Sequence, residues 1–474
     1  MALRRQSVST RTLVGGVLAG AAFGSALTLA ILTGLGVRLQ PNLQTPAFNK
    51  FFSAYEDLTQ RYYFPVTQQA LLDGAIRGMT QALNDPFTAY FTPAAAKQFQ
   101  KYLSNSFDGI GVVLEQSGGE FLIVSVTPHS PAEKAGLHAL DVITKVDGKS
   151  LQGLSIDQVS QQVVGPLGTQ VKLTILRRSE ADRTFEVSVT RAKITSPSVT
   201  SKMLTNHVGY LAISVVGNET SQEVKDAVAG LKKQGATRLV IDLRGNGGGY
   251  LEQAELIADQ LIPTGKVVVQ TQAAGKQPEL IRSTGPGLKM PMAVLMDKDT
   301  ASAAEVLAAA LHEDIKAPLI GTISYGKGTV QETQMYPDGS GLKYTVARWL
   351  TPTGAWIHHR GLTPTDTVAL PSYFYLSPLT QAALPLQSGQ NTPDVSTLQK
   401  VLQALGYKLD RNDGYFDEST VQALKQFQTS VKLPATGMAN RATANLLQAS
   451  LQDLLARSDT QLQKAQQVVL QESP

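Results

Sequence analysis

At 474 residues the chain exceeds the usual size of one domain, so we expect three or four domains. The formal net charge is only +4 and the basic residues are scattered, which argues against nucleic acid as a partner. The absence of cysteine excludes thiol nucleophiles, thiolate metal ligands and disulfides.

The N-terminus carries an uncharged stretch, Thr12 to Val37, that is preceded by Arg4, Arg5 and Arg11 and ended by Arg38. A bilayer core takes about 20 apolar residues, whereas a cleaved signal has an apolar stretch of about 7 to 15. We therefore expect an uncleaved anchor. Because positive charge stays on the cytoplasmic side, the rest of the chain should lie outside the cytoplasmic membrane. A removable signal peptide is the alternative and also implies export.

The next two segments differ in periodicity. From Pro46 to about Asn105, apolar residues recur at helical spacing and predict two or three packed helices. From Phe107 to about Arg191, short Val, Ile and Leu runs alternate with Gly and Pro turns, which predicts a small β-rich domain with one helix over 155–164.

Strands and helices then alternate. We predict strands at 208–213, 238–243, 266–271, 292–296 and 319–322, and helices at 221–233, 252–261 and 302–312. This alternation indicates a largely parallel sheet with helical cover, and ligands usually bind at the carboxyl ends of such strands. Residues 394–447 predict a compact helical unit, and residues from Gln448 to the end predict one further amphipathic helix.

Three stretches of the α/β region carry residues suited to chemistry. In the first, 241–249, an apolar strand runs into glycines, whose bare amides can converge on an anion, although by itself such a cluster is more often a mere tight turn. In the second, 299–305, Ser302 opens a helix, where backbone N–H groups favour an oxyanion. An ordinary N-cap serine is the simpler explanation.

The third stretch, 325–332, places Lys327 between two glycines just beyond a strand. Such a lysine is normally solvated, and it can act as a general base near neutral pH only if burial or nearby positive charge lowers its pKa. None of His207, His312 and the His358–His359 pair has a recognisable catalytic setting, so Ser302 has no evident histidine partner.

In this order, the three stretches resemble the carboxy-terminal processing peptidases, also called tail-specific proteases. The shared blocks are the acidic-Leu-Arg-x-Asn-x-Gly-Gly loop, Ala-Ser-Ala-x-Glu and Gly-Lys-Gly-x-Val-Gln. The resemblance implies Ser302 as nucleophile, Lys327 as general base and Gln331 as the residue that holds the lysine. It also implies an oxyanion hole formed by the amides of Ala303 and Gly247, and a crotonase-like fold for the catalytic domain.

Upstream, residues 109–111, 130–136 and Asp147-Gly148 are similar to a PDZ domain of the bacterial peptidase type. Such a module binds a peptide C-terminus as an added strand, and here Gly109, Ile110 and Gly111 would hold its carboxylate. Two residues depart from the family pattern. Leu140 replaces a glycine, which puts a turn in doubt, and Val164 replaces a basic residue, which puts in doubt the coupling of tail binding to activation.

The C-terminal unit resembles peptidoglycan-binding repeats through blocks such as Leu405-Gly-Tyr407 and Asp413-Gly-Tyr-Phe416. A helical oligomerisation or regulatory module is the alternative.

The predicted fold class is thus multidomain α+β: a helical N-terminal region, a β-rich PDZ-like domain, an α/β crotonase-like serine peptidase domain and a small C-terminal helical bundle. The predicted segments are a cytoplasmic tip and anchor (1–40), a helical region (41–105), the PDZ-like insert (106–192), the peptidase domain (193–380), the peptidoglycan-binding-like domain (385–450) and a final helix (451–474).

The resulting hypothesis is a membrane-anchored serine endopeptidase that cleaves exported or cell-envelope proteins. We expect no cofactor or metal, protein substrates with apolar C-terminal tails, peptidoglycan as a candidate partner, and a homodimer because both ends carry helical arms. The alternatives are a catalytically silent envelope scaffold and a crotonase-like acyl-thioester enzyme. The second of these explains neither the export signal nor the Gly-Lys-Gly-Thr-Val-Gln run.

Overall fold

The computed structural model describes residues 45–472, with gaps at 105, 118, 179–181, 196 and 380–382. The predicted anchor at 12–37 therefore lies outside the described residues. Within the described ranges, no helix has both the length and the apolar character needed to cross a bilayer. The chain divides after Asn84 into two compact units.

The described part of the first unit consists of two helices, α1 (Pro46–Gln60) and α2 (Gln68–Gln81). Each helix begins at a threonine whose hydroxyl accepts a hydrogen bond from the first turn, Thr45 from Phe48 N–H and Thr67 from Ala70 N–H. The predicted helical character of this region is confirmed.

The second unit begins with a short strand, β1 (Ala89–Phe91), followed by helix α3 (Pro93–Ser104). β1 pairs antiparallel with a strand far along the chain, at residues 341–343. The helical prediction for 41–105 is therefore wrong at 89–91, because a non-local strand partner decides the conformation there and local periodicity does not show it.

A β-rich module follows, as predicted. Its antiparallel sheet has the order β3-β4-β5-β7-β8, with β6 beside β5. The elements are β3 (Val112–Ser117), β4 (Glu120–Val126), α4 (Pro131–Lys134), β5 (Val142–Val146), β6 (Lys149–Ser150), α5 (Ile156–Val163), β7 (Gln170–Arg177) and β8 (Arg183–Thr190). β2 (Ser106–Gly109) pairs with β9 (Ala192–Thr195). The chain thus enters and leaves the module through paired strands, which is the geometry of an insertion.

Leu140, where the resemblance leads one to expect glycine, lies in the turn before β5. Its φ is 73° and its side chain is 69% exposed. The left-handed conformation costs a residue with a Cβ roughly 1–2 kcal/mol. Next to it, buried Asp141 receives two hydrogen bonds from Arg177, of 2.7 and 2.8 Å. The turn therefore forms with leucine in place of glycine, at an energetic cost.

The predicted parallel sheet is present in the order β10-β11-β12-β15-β16-β19, and only β10 runs antiparallel to its neighbour. The strand predicted at 266–271 was wrongly counted in it: this strand pairs antiparallel with strands of a second sheet, which local alternation does not show. Its strands are β10 (Val199–Met203), β11 (Val208–Ile213), β12 (Arg238–Asp242), β15 (Met292–Met296), β16 (Leu319–Gly321) and β19 (Asp366–Thr367). Its connecting helices are α6 (Thr220–Lys233), α7 (Leu251–Leu261) and α8 (Ala303–Ile315).

A second, antiparallel sheet has the order β1-β18-β13-β14, with β17 also on β18. Its further strands are β13 (Val267–Ala273), β14 (Glu279–Arg282), β17 (Thr329–Met335) and β18 (Gly341–Leu350). Residues 303–311 of α8 are all buried. Their side chains join one core with those of α7, the inner face of the parallel sheet and β13, so the first turn of α8 is held rigidly.

The C-terminal part contains α9 (Pro393–Ala404), α10 (Glu418–Ser430) and α11 (Arg441–Arg457) around their own apolar core. The prediction of one helix from Gln448 to the end is wrong. α11 continues to Arg457, the chain breaks, and α12 (Thr460–Gln471) starts after Asp459, whose carboxylate accepts a hydrogen bond from Leu462 N–H. The apolar residues Ala465 and Val469 of α12 pack on the outer face of the parallel sheet.

Candidate active site

Ser302 lies beyond the carboxyl end of β15, immediately before α8. Its φ of 56° is unusual for a residue with a Cβ, and such strain is often found at functional sites. Its backbone N–H donates a 2.8 Å hydrogen bond to Oε2 of Glu305, which holds the strained turn. The first turn of a buried helix thus fixes the position of this serine.

Glu305 connects the Ser302 turn to the lysine loop. Its carboxylate is fully buried and accepts further hydrogen bonds from Ser324 Oγ at 2.5 Å, Gly326 N–H at 2.7 Å and Lys327 N–H at 2.9 Å. Burial raises the pKa of Glu305, and the hydrogen bonds oppose that rise. The sequence alone indicates no role for Glu305, and the structure identifies it as the residue that joins the two segments.

Trp349 fixes the backbone of Lys327, because its indole N–H donates a 2.7 Å hydrogen bond to the Lys327 carbonyl. Its Nζ lies 5.1 Å from the centroid of the Phe87 ring. Burial, and then the positive charge of Lys343, lower the pKa of Lys327 to about 8, against the opposing charges of Asp85 and Glu305. The structure thus meets the condition for a lysine general base, since a useful fraction of Lys327 is neutral near physiological pH.

Ser302 and Lys327 line the same cavity, which has a volume of about 200 Å³. Gly247, Ala303 and Gln331 line it too, so it brings together all the catalytic and oxyanion residues predicted from the sequence. No histidine is among the described residues that border it. A lysine is therefore the base that this cavity offers to the serine.

The glycine loop, residues 244–249, lies directly against the turn at Ser302. A Cβ placed on Gly248, which has φ 92°, would lie 2.8 Å from the Ser302 Cβ and 3.0 Å from the Ala303 nitrogen, so only glycine fits. Buried Asn246 shapes the loop: it donates to the Ile213 carbonyl and accepts from Gly248 N–H. In the part of the chain that the structure describes, the amides of Gly247 and Ala303 have no protein acceptor, so both are available beside the cavity.

Gln331 borders the cavity, but its side-chain N–H groups are directed to two hydroxyls. Nε2 donates to Thr329 Oγ1 at 2.9 Å and to Thr345 Oγ1 at 3.2 Å. Within the described ranges no hydrogen bond joins Gln331 to Lys327, so its predicted role of holding the lysine stays a prediction.

Comparison with known proteins agrees with this geometry. The model of peptidase family S41 matches residues 207–368, a PDZ domain model matches 122–177, and a peptidoglycan binding domain model matches 391–447. The model of the activating protease CtpB N-terminal domain matches 37–94.

Among curated proteins, the carboxy-terminal processing protease CtpA of Bacillus subtilis (strain 168) is 40% identical over 452 residues, which are 95% of this chain and 96% of that protein. The chain belongs to peptidase family S41. A CtpA-like serine protease of Staphylococcus aureus (strain MRSA252) is 37% identical over 91% of this chain and 86% of its own length. Membership favours a serine peptidase of the carboxy-terminal processing group over the silent scaffold and the acyl-thioester enzyme.

Among solved structures, the photosystem II D1 C-terminal processing protease is 29% identical and covers 68% of this chain and 88% of its own, with a TM-score of 0.40. That TM-score is too low to add to the argument, so the S41 assignment rests on the sequence matches.

In this S41 chain the three residues predicted to bind a peptide carboxylate line a groove beside β3 and α5. Gly109, Ile110 and Gly111 border a cavity of about 180 Å³ together with Val163 and Val164. Gly111 has φ 88°, and a Cβ there would lie 2.3 Å from the Ser130 Cβ. Val163 and Val164 give the groove an apolar wall, Ser160 and Lys101 also border it, and the loop at its end requires glycine.

Residues 85–91 also contribute to the S41 site, which the sequence did not indicate. Asp85 accepts hydrogen bonds from Thr345 Oγ1 at 2.6 Å and Thr88 Oγ1 at 2.7 Å. Burial alone would raise the pKa of Asp85, but the hydrogen bonds that it accepts outweigh burial and hold its pKa below the usual range. The segment also supplies Phe87, which covers the lysine amine. The Asp-Pro turn at 85–86 was the available signal, but it does not reveal its partner.

Proposed function

We propose that this peptidase cleaves protein chains by acyl transfer through Ser302, with Lys327 as general base. Neutral Lys327 takes the hydroxyl proton of Ser302, and the serine oxygen attacks the scissile carbonyl carbon. The carbonyl oxygen becomes an oxyanion that accepts hydrogen bonds from the amides of Gly247 and Ala303. The observation that carries this proposal is the buried Lys327, with a pKa of about 8, in one cavity with Ser302.

The rest of the cycle follows from the same groups. Protonated Lys327 gives its proton to the leaving amine as the C–N bond breaks, which leaves an ester on Ser302. A water then transfers a proton to Lys327 and attacks the ester, and return of that proton to the serine oxygen frees the acid product. Because Gln331 Nε2 is engaged by two hydroxyls, its Oε1 is the atom suited to accept a hydrogen bond from the lysine ammonium.

The substrates that we propose are exported or cell-envelope proteins with apolar C-terminal tails. The groove beside β3 supports this choice, because its apolar wall suits an apolar terminal side chain and strand addition to β3 supplies backbone hydrogen bonds. The uncharged stretch at 12–37 supports a single-pass anchor with the catalytic part outside the cytoplasm. The matched peptidoglycan binding domain makes the cell wall a candidate partner. A homodimer is part of the same proposal.

Cleavage of an unstructured protein with an apolar C-terminus tests the proposal. Full-length protein in detergent should cleave it, while Ser302→Ala and Lys327→Ala should lose at least a thousandfold in rate. The matched control is Lys225→Ala, an exposed lysine on α6, which should cleave like the parent. Cleavage that survives Lys327→Ala would mean that another group is the base. Absence of cleavage by the parent, with and without an apolar tail peptide, would contradict the proposed activity.

The accessory proposals have separate tests. Residence of the protein in the membrane fraction after carbonate washing supports the anchor, and release into the soluble fraction contradicts it. Co-sedimentation with purified peptidoglycan supports wall binding, and protein that stays in the supernatant contradicts it. Sedimentation of only a monomer at micromolar concentration contradicts the dimer.

A further inference from the structure

The last helix of the chain completes the peptidase domain. Apolar residues of the central parallel strands alternate between two faces, and α6, α7 and α8 cover only one of them. The other face packs against Ala465 and Val469 of α12. Its residues in that contact are Val208, Val240, Ala293, Leu295 and Ile320. A parallel sheet with two apolar faces requires cover on both, and α12 supplies the second cover.

Asp459 and Gln461, at the start of α12, both accept hydrogen bonds from one side chain, Arg244. Arg244 donates to both carboxylate oxygens of Asp459, at 3.0 and 2.7 Å, and to Gln461 Oε1 at 3.0 Å. It also donates to Asp242, at the end of β12, at 2.6 Å. The Arg244 side chain is 15% exposed and that of Asp459 is 13% exposed. A charge pair this sheltered depends on both partners, because loss of one leaves the other buried and unpaired.

Arg244 is also the first residue of the glycine loop at the active site. Two residues later, Asn246 turns the loop, and Gly248 packs against Ser302 and the Ala303 amide. Glycines have no side chains with which to hold a conformation, so the loop depends on Asn246 and on contacts at its ends. At its far end the Val216 backbone holds Gly248 and Tyr250. At its near end are the Arg244 contacts and a hydrogen bond from Gly245 N–H to Asp297.

We propose that Asp459 is a positioning residue for catalysis: through Arg244 it holds the glycine loop so that the Gly247 amide points at the oxyanion. The peptidase domain is then complete only with the last helix of the chain, and the peptidoglycan-binding domain is inserted before that helix. This inference rests on the proposed function for its catalytic consequence. Its structural part, that Asp459 orders the loop, stands independently of activity.

The test compares Asp459→Asn with Lys464→Met in the full-length protein. Lys464 lies on the same helix and forms an ion pair of 2.9 Å with Asp366, away from the loop, so it controls for loss of a polar contact of α12. Asp459→Asn should lower kcat tenfold to a hundredfold with KM within twofold, because misplaced oxyanion donors affect the transition state more than the bound substrate. Binding of a peptide aldehyde, which forms an oxyanion on the serine, should weaken at least tenfold. Lys464→Met should stay within twofold of the parent in each quantity, and Asp459→Glu should recover part of the kcat.

Hydrogen exchange separates this inference from the proposed function. In Asp459→Asn, the amides of residues 243–250 should exchange at least tenfold faster than in the parent, while the amides of β15 should exchange at the parent's rate. In Lys464→Met, the amides of residues 243–250 should also exchange at the parent's rate. This readout needs no turnover. Unchanged exchange in the loop overturns the inference, whether or not the parent cleaves. Equal losses of kcat in Asp459→Asn and Lys464→Met also overturn it, because both would then report only on docking of the helix.

Discussion

Lys343 should help to lower the pH at which the peptidase works. It borders the same cavity as Ser302 and Lys327, and its Nζ lies 5.0 Å from the centroid of the Phe99 ring. With a pKa of about 8, roughly a tenth of Lys327 is neutral at pH 7; at the ordinary lysine pKa of about 10.5 the neutral fraction would be about three in ten thousand. The lowered pKa therefore raises the active fraction about 300-fold, and the charge of Lys343 is its second cause after burial.

Replacement of Lys343 by methionine removes that charge and keeps much of the side chain's length. A like charge across so small a cavity is worth on the order of 1 kcal/mol, or roughly 0.7 of a pH unit. The acid limb of kcat/KM against pH should therefore move up by that amount. The rate at pH 7 should fall about fivefold, and the plateau above pH 9.5 should be retained.

Asp85→Asn should move the acid limb in the opposite direction, because the charge of Asp85 raises the pKa of Lys327. Lys276→Met, at an exposed position, controls for loss of a lysine and should leave the profile unchanged. The assay is initial cleavage of a peptide substrate between pH 6 and 10. A Lys343→Met profile that superimposes on that of the parent, or that moves to lower pH, would refute the reasoning.

Three further substitutions test the fold around the site. Leu140→Gly should raise the free energy of unfolding by about 1 kcal/mol in urea titrations, because glycine adopts the left-handed turn without strain; an unchanged midpoint would count against that cost. Gly248→Ala should lower kcat at least a hundredfold because the new methyl would collide with Ser302, and retained activity would show that the loop adapts. Glu305→Gln places an N–H donor among N–H donors, so the unfolding free energy should fall by roughly 2–3 kcal/mol, whereas an unchanged urea midpoint would contradict the role of Glu305 as connector.

Much of the site could be predicted because its residues follow strands of one sheet. Asp242 ends β12, Ser302 follows β15 and Lys327 follows β16. Carboxyl ends of parallel strands meet at one edge, so motifs at those positions come together whatever the intervening sequence. The same logic identified the fold class, because alternation of strands and helices is a local pattern.

The rest could not be predicted because it depends on contacts between distant segments. Periodicity indicated an apolar face on α12 but not its partner, so Asp459 and its contact with Arg244 were missed. Asp85 was predicted to lie in a helical region. Its partner Thr345 belongs to a strand far along the chain, and the sequence around Asp85 does not indicate that contact. The pKa of Lys327 depends on burial, which the flanking glycines do not reveal.

One signal for α12 was nevertheless present in the sequence. Val240 and Leu295 are apolar residues on the outer faces of β12 and β15, and their neighbours along each strand are apolar on the inner face. Strands that are apolar on both faces require a second cover. The structure shows that the three helices predicted between 208 and 322 all cover the inner face, which leaves the outer face to a helix from elsewhere in the chain.

The central claim, covalent catalysis by Ser302, is tested most directly by trapping the ester. Full-length enzyme that is turning over a peptide substrate is quenched in acid, digested and analysed by mass spectrometry, with Ser302→Ala as control. We expect the N-terminal fragment of the substrate to be attached to the peptide that contains Ser302, and this adduct to be absent from the control. Hydrolysis at the same rate without any adduct, or with the adduct on another residue, would contradict it.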